Sequence, residues 1–165
     1  MRRHRESDHA AASGPRTTRR IHEERAGKLR ELAGCPTCHA SYRNGRWTWE
    51  APPIGSYAHV CPACEQIAKD DVGGELHLAG DFLSAHRGEI EACLRNVEER
   101  EKREHPLKRI MSIRDEGGAV VVRVTDPKLV IQLGHALERA YDGELQLPAT
   151  SSDRSSPARG HWRRD

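Results

Sequence analysis

Aromatic side chains are scarce in this chain, with one Phe, three Tyr and three Trp among 165 residues. Together with a charged fraction of 32% and a mean hydropathy of −0.80, this leaves little material for a large core. No apolar run approaches the roughly 18 residues that a membrane-spanning helix needs, so no membrane partner is expected. The basic start Met1-Arg2-Arg3-His4-Arg5-Glu6 is not followed by an apolar segment, and neither are the arginine pairs at 2–3 and 19–20. An export signal is therefore not expected, and the expected location is the cytoplasm. Also missing are a P-loop, a G-x-G-x-x-G turn, a G-x-S-x-G elbow and an H-E-x-x-H pair, despite ten histidines. A nucleotide cofactor or a serine or zinc hydrolase has no motif to rest on, and no catalytic residues are expected.

The net charge of +2 hides an uneven distribution. Residues 1–30 carry nine Lys/Arg against four Asp/Glu, residues 31–148 fourteen against nineteen, and residues 149–165 four against two. A basic head and a mildly basic tail thus flank an acidic body. Such asymmetry points the ends toward polyanions, while solvated tails without a partner have the same composition. Residues 1–32 read as a basic tail, disordered or partly helical, with a weak apolar stripe over 18–32. Residues 149–165, rich in Ser, Pro and Arg, read as a disordered tail.

Four of the five cysteines fall into two pairs, Cys35-Pro36-Thr37-Cys38 and Cys61-Pro62-Ala63-Cys64, with twenty-two residues between them. Two residues between cysteines let both thiolates of a tight turn face one ion, and two such turns complete a tetrahedral shell. One structural Zn²⁺ on Cys35, Cys38, Cys61 and Cys64 is the expectation. Disulfides do not suit a cytoplasmic chain. A thioredoxin-type dithiol uses a single pair between strand and helix, and paired knuckles favour a single ion over an iron–sulfur cluster. Four thiolates leave no open position for a reacting water, and the His-x-Glu pair of a zinc deaminase is absent. His39 and His59 flank the pairs and are expected in the outer shell or in solvent.

Between the pairs, Tyr42-Arg43-Asn44-Gly45-Arg46-Trp47-Thr48-Trp49 reads as a hairpin turned at Asn44-Gly45. Period-two alternation puts Tyr42, Trp47 and Trp49 on one face and Arg43 and Arg46 on the other. The rings serve either as a small core over the metal or as a stacking platform for bases, with arginines nearby for phosphates.

Downstream, residues 75–78 read as a strand and 81–104 as a helix with Ile90, Cys93, Leu94 and Val97 facing inward. Its end, 98–104, reads as solvated. Strands are expected over 107–114 and 119–125, then a helix capped by Asp126-Pro127, with Leu129, Val130, Leu133, Ala136, Leu137 and Ala140 as its apolar stripe and Gly143 closing it, and a last strand over 144–147. The β-α-β-β-α-β order is the split pattern of ferredoxin-like domains. The expected fold is α+β, with a zinc ribbon over 33–72, a ferredoxin-like domain over 73–148 and basic tails. The strand over 119–125 carries no aromatic residue, which makes its sheet face a poor base-stacking surface.

Several runs carry a family resemblance: Gly80-Asp81-Phe82-Leu83-Ser84-Ala85-His86-Arg87-Gly88-Glu89-Ile90, Arg95-Asn96-Val97-Glu98, His105-Pro106-Leu107-Lys108-Arg109-Ile110 and Ala140-Tyr141-Asp142-Gly143-Glu144-Leu145. With the paired knuckles, residues 33–147 resemble small bacterial zinc-ribbon proteins labelled NMD-type proteins affecting ribosome stability and mRNA decay. The knuckles also resemble those of the archaeal and eukaryal ribosomal-subunit export adaptor. This resemblance implies a ribosome or RNA role and no catalytic residues.

The function expected is non-enzymatic binding of RNA or a ribosomal subunit. Arg16, Arg19, Arg20, Arg43 and Arg46 would meet phosphates, and Trp47 and Trp49 would meet bases. The alternative is a protein–protein regulatory adaptor, one responsive to stress, in which zinc only holds the fold. A redox enzyme working through the knuckles is a third reading.

Overall fold

The computed structural model describes residues 31–147 and 156–165. The basic head, with Arg16, Arg19 and Arg20 and the helix expected over 18–32, lies outside the described residues except for Glu31 and Leu32, which are not helical. Residues Glu31–Asp165 form one compact unit with a mixed α/β architecture. A small cysteine-bearing sheet is joined to a larger, helix-covered one.

The small sheet has the order β3-β2-β1-β4, from β1 (Ala33–Gly34), β2 (Ser41–Arg43), β3 (Arg46–Thr48) and β4 (Tyr57–Ala58). Hairpin pairing is as the Asn-Gly turn predicts, with Arg43 opposite Arg46 and Tyr42 opposite Trp47. Asn44 and Gly45 both take positive φ, 50° and 77°, the left-handed pair that a two-residue turn requires. The Glu31 carboxylate accepts from both turn amides, at 2.8 and 3.1 Å. After β4, α1 (Pro62–Lys69) grows straight out of the second cysteine pair. That helix was not expected. Its signals are Pro62 at the first position, Glu65 in the first turn and Lys69 in the last.

The larger sheet is built from β5 (Gly74–Ala79), β6 (Ile110–Glu116), β7 (Ala119–Val124), β8 (Glu144–Gln146) and β9 (Ala158–Arg163). Helices α2 (Asp81–Ala85), α3 (Arg87–Glu104) and α4 (Pro127–Tyr141) lie between them in sequence. The helix expected over 81–104 is thus broken at His86. Ile90, Leu94 and Val97 of α3 meet Leu129, Leu133 and Leu137 of α4 in the core, with Leu76, Leu78, Val120, Val122 and Val124 beneath them. Cys93 is partly buried against this core. The α4 cap is the expected one, the Asp126 carboxylate accepting from the Lys128 amide at 2.7 Å. Glu98, expected in solvent, is buried instead. Its carboxylate accepts from the Ile110 amide at 2.6 Å and from Arg95 at 3.0 Å, which fixes the start of β6 against α3.

Strand order departs from the ferredoxin-like arrangement. The order is β6-β7-β5-β9-β8, with β9 parallel to β5 and β8 antiparallel to β9. The strand expected beside β5, β8, is displaced one place outward by residues 158–163, which were expected in a disordered tail. Packing is the reason. Trp162 is fully buried, and Ala158, Gly160 and Trp162 alternate with Arg159, His161 and Arg163 as in a strand with one buried face. At Gly160 the helix layer closes in so far that an added Cβ would lie 2.9 Å from Val130 Cγ1.

Candidate metal centre

Strands β1 and β4 run parallel and adjacent, Ala33 opposite Tyr57 and Gly34 opposite Ala58. β1 leads directly into one Cys-x-x-Cys segment and β4, after His59 and Val60, into the other, so both segments emerge at the same end of the small sheet. In the first, the Cys35 amide donates to Ala40 O at 2.8 Å and Cys35 O accepts from His39 at 2.9 Å, closing a tight turn in which His39 has φ 63°. In the second, Cys61 is the N-cap of α1, its sulfur accepting from the Cys64 amide at 3.5 Å.

The outcome is convergence: the sulfurs of Cys35, Cys38, Cys61 and Cys64 all lie within 4.8 Å of one another. A tetrahedral ion with bonds of about 2.3 Å requires sulfurs about 3.8 Å apart, and Cys38 and Cys61 Sγ stand at 3.6 Å. Number, identity and spacing of the donors fit a tetrathiolate metal ion. Cys35, Cys61 and Cys64 are buried and Cys38 is partly so. Both neighbouring histidines are exposed and outside the cluster.

The thiols are not equivalent. Burial works to raise Cys35, but backbone amides of Cys61, Cys38 and Thr37 outweigh it and bring its pKa down to about 6. Burial pushes Cys61 and Cys64 upward, the Arg109 charge opposing the rise at Cys64.

Arg109 was not singled out as a site residue. It precedes β6 and is only 8% exposed. One terminal nitrogen donates to Cys64 Sγ at 3.3 Å, the other to Cys38 Sγ at 3.1 Å, and Nε donates to Pro106 O at 2.8 Å. Burial disfavours its charge, but the sulfurs more than compensate and its pKa is raised. Nothing local in His105-Pro106-Leu107-Lys108-Arg109 distinguishes this arginine from a solvated one, because the contact joins residues far apart in sequence.

Of the residues read as a nucleic-acid platform, Trp47 is buried, tilted against Tyr42 at 5.6 Å and stacked near His59 at 6.4 Å. It belongs to the small core. Trp49 is 38% exposed, lies beyond the end of β3, and donates from Nε1 to Lys102 O at 2.6 Å. Its ring sits 5.6 Å from the Arg109 guanidinium carbon. Arg43 is paired with Glu50 at 2.7 Å, and Arg46 is exposed. The structure thus does not bring the two Trp rings and two arginines together as one open surface. No helix among the described residues is long and apolar enough to cross a membrane. Comparison of the chain with protein-family models, with curated proteins and with solved structures found no match.

Proposed function

We propose that the four cysteines hold one structural zinc ion in a ribbon-type site, and that the chain acts by binding RNA or a ribosomal subunit rather than by catalysis. The observation that carries the non-catalytic reading is the enclosure of the sulfurs. Three of the four cysteines are buried, and the Arg109 guanidinium covers the flank of the cluster against Cys38 and Cys64. A catalytic zinc keeps one position open to water and uses His or carboxylate ligands. Here the ion would supply cross-linking of two chain segments and nothing more.

Charge supports the choice of partner. The nine Lys/Arg within residues 1–30, with Arg46 exposed on the hairpin, suit phosphate contacts. The test is a density gradient of cell lysate at low and high salt, with intact protein and a version lacking residues 1–30. Co-migration with a ribosomal subunit, lost at high salt or without the basic head, is the expected result. Protein that stays at the top of the gradient throughout would overturn it.

A protein partner is the second reading, favoured by one observation. The tip of the 50–56 loop presents Ile54 fully to solvent, and Leu32, Val60 and Ile67 of the same cysteine-bearing unit are also exposed. Apolar exposure of this kind suits a protein surface better than a phosphate backbone. Binding that persists at high salt and without residues 1–30 would select this reading.

A further inference from the structure

A buried cation requires a counter-charge, and for Arg109 the choice is narrow. Its guanidinium makes no ion pair with a carboxylate among the described residues. Its charged contacts are the sulfurs of Cys64 and Cys38, at 3.3 and 3.1 Å, with Cys61 Sγ further off at 3.9 Å. Its Nε–H is used on Pro106 O, and Trp49 lies against the group.

The backbone of the same residue is anchored in the larger sheet. Its amide donates to Thr125 Oγ1 at 2.9 Å, and its carbonyl accepts from the Thr125 amide at 3.0 Å. Thr125 is buried, and its own carbonyl accepts from Gln66 Nε2 at 3.2 Å, a side chain of the helix that Cys61 starts. Arg109 therefore reaches from the sheet to the sulfurs, and Gln66 reaches back from the cysteine unit to the sheet. A third tie is Trp49 to Lys102 O. The bonds from Arg109 to the sulfurs, from Gln66 to Thr125 O and from Trp49 to Lys102 O each join the cysteine unit to the larger sheet or the helices that cover it.

We propose that Arg109 is the counter-ion of the metal–thiolate cluster, and that through it metal occupancy and the seating of the cysteine unit on the larger sheet are one coupled event. The inference rests on the metal reading given above. A divalent ion with four thiolates carries two net negative charges, of which Arg109 balances one. With the ion gone, nothing holds the four sulfurs together, and a guanidinium that is 8% exposed loses its partners. Breaking a buried ion pair from one side is strongly unfavourable. The seated arrangement should therefore loosen around Arg109, Thr125 and Gln66 when metal leaves. Linkage is reciprocal: the factor by which metal strengthens the seating is the factor by which the seating strengthens metal binding.

The experiment uses the full chain, zinc as the metal and a chromophoric chelator as competitor, at one fixed pH. Arg109→Met should lower zinc affinity about ten- to a hundredfold, the range for partners of metal ligands. Arg109→Lys should recover part of that loss, since it keeps the charge without the fork. Trp49→Phe touches no sulfur and keeps an aromatic ring beside Arg109 but loses the bond to Lys102, and should lower zinc affinity several-fold through the weakened seating. Leu145→Ala, which weakens the core at the far sheet edge, should lower the unfolding midpoint and leave zinc affinity unchanged. Hydrogen exchange of wild type with and without zinc should show the amides of Arg109 and Thr125 losing protection before those of Leu76 and Leu78. This last measurement decides the matter should Arg109→Met fail to fold. A wild-type chain that takes up no zinc would overturn the metal reading and the coupling together. Zinc uptake with Arg109→Met and Trp49→Phe both within twofold of wild type, or unchanged protection at Arg109 and Thr125 on zinc removal, would overturn the coupling alone.

Discussion

Trp162 is the register partner of Leu78 on β5, the middle strand of the five-stranded sheet, and both side chains are fully buried. The indole also donates to Asp142 O at 2.8 Å, which ties β9 to the end of α4. A residue from a segment that reads as a polar tail is thus the largest side chain wholly inside the core. Trp162→Ala is expected to destabilise the protein by about 3–5 kcal/mol. Chemical denaturation of the variant checks this, and a loss below about 1 kcal/mol would contradict the packing described.

Gly80 joins β5 to α2 with φ 105°, and an added Cβ would fall 1.9 Å from the carbonyl oxygen of Arg164. Both the backbone angle and the space exclude a side chain, and the close neighbour is backbone that cannot turn aside. Gly80→Ala should cost more than about 1 kcal/mol. By contrast, Gly88→Ala, where a Cβ meets nothing within 4 Å inside α3, should be neutral or slightly stabilising. Thermal unfolding of the two variants side by side provides the comparison.

Lys108 and Glu101 form an ion pair at 2.9 Å whose side chains are only 11% and 16% exposed. The bond from Lys108 holds the Glu101 carboxyl below the ordinary carboxylate value, with burial opposing and Gln132 assisting. A lowered folded-state pKa gives stability that is present above the unfolded value and lost as pH falls through the folded one. Lys108→Met should therefore cost about 1.5 kcal/mol near neutrality. The gap to wild type should close as the pH is taken below about 4.3 and on through the lowered value. Urea denaturation across that range would show it, and a gap independent of pH would exclude the ion pair as the cause.

Under the proposed zinc reading, the purified chain should contain one equivalent of zinc. Chelation should release it and make four further thiols reactive beyond Cys93. Cys38→Ser, which removes the most accessible of the four ligands, should lower zinc affinity by orders of magnitude. Metal analysis paired with thiol titration gives the answer, and full thiol reactivity before chelation would contradict a metal-bound cluster.

Much of the local structure was legible because its causes are local. Asn44-Gly45 specifies its turn through the φ values that only such residues accept easily, and Asp126-Pro127 caps α4 with its own side chain. The stripe Leu129, Val130, Leu133, Ala136 and Leu137 is buried as its spacing requires, although Ala140 at its end is exposed. The four sulfurs could be named as one set from their spacing. Strand order was not legible, because only the volume available beside Leu76 and Leu78 decides whether β8 or β9 sits there. The β9 signal was nevertheless present: Ala158, Gly160 and Trp162 alternate with polar residues. Pro, Ser and Arg around it gave the segment the composition of a tail.

By itself, then, the sequence determined the two Cys-x-x-Cys turns, the hairpin between them, the Asp126-Pro127 cap of α4 and the apolar faces, since each depends on residues within a few positions of one another. Only the tertiary structure decided that β1 and β4 run parallel, so that both turns open at one end of the sheet. It alone decided that residues 158–163 complete the core, and that Arg109, forty-five residues beyond Cys64, covers the sulfurs. Those outcomes depend on which segments compete for the same buried volume and on where a buried charge finds its partner, and neither is a property of any local stretch of chain.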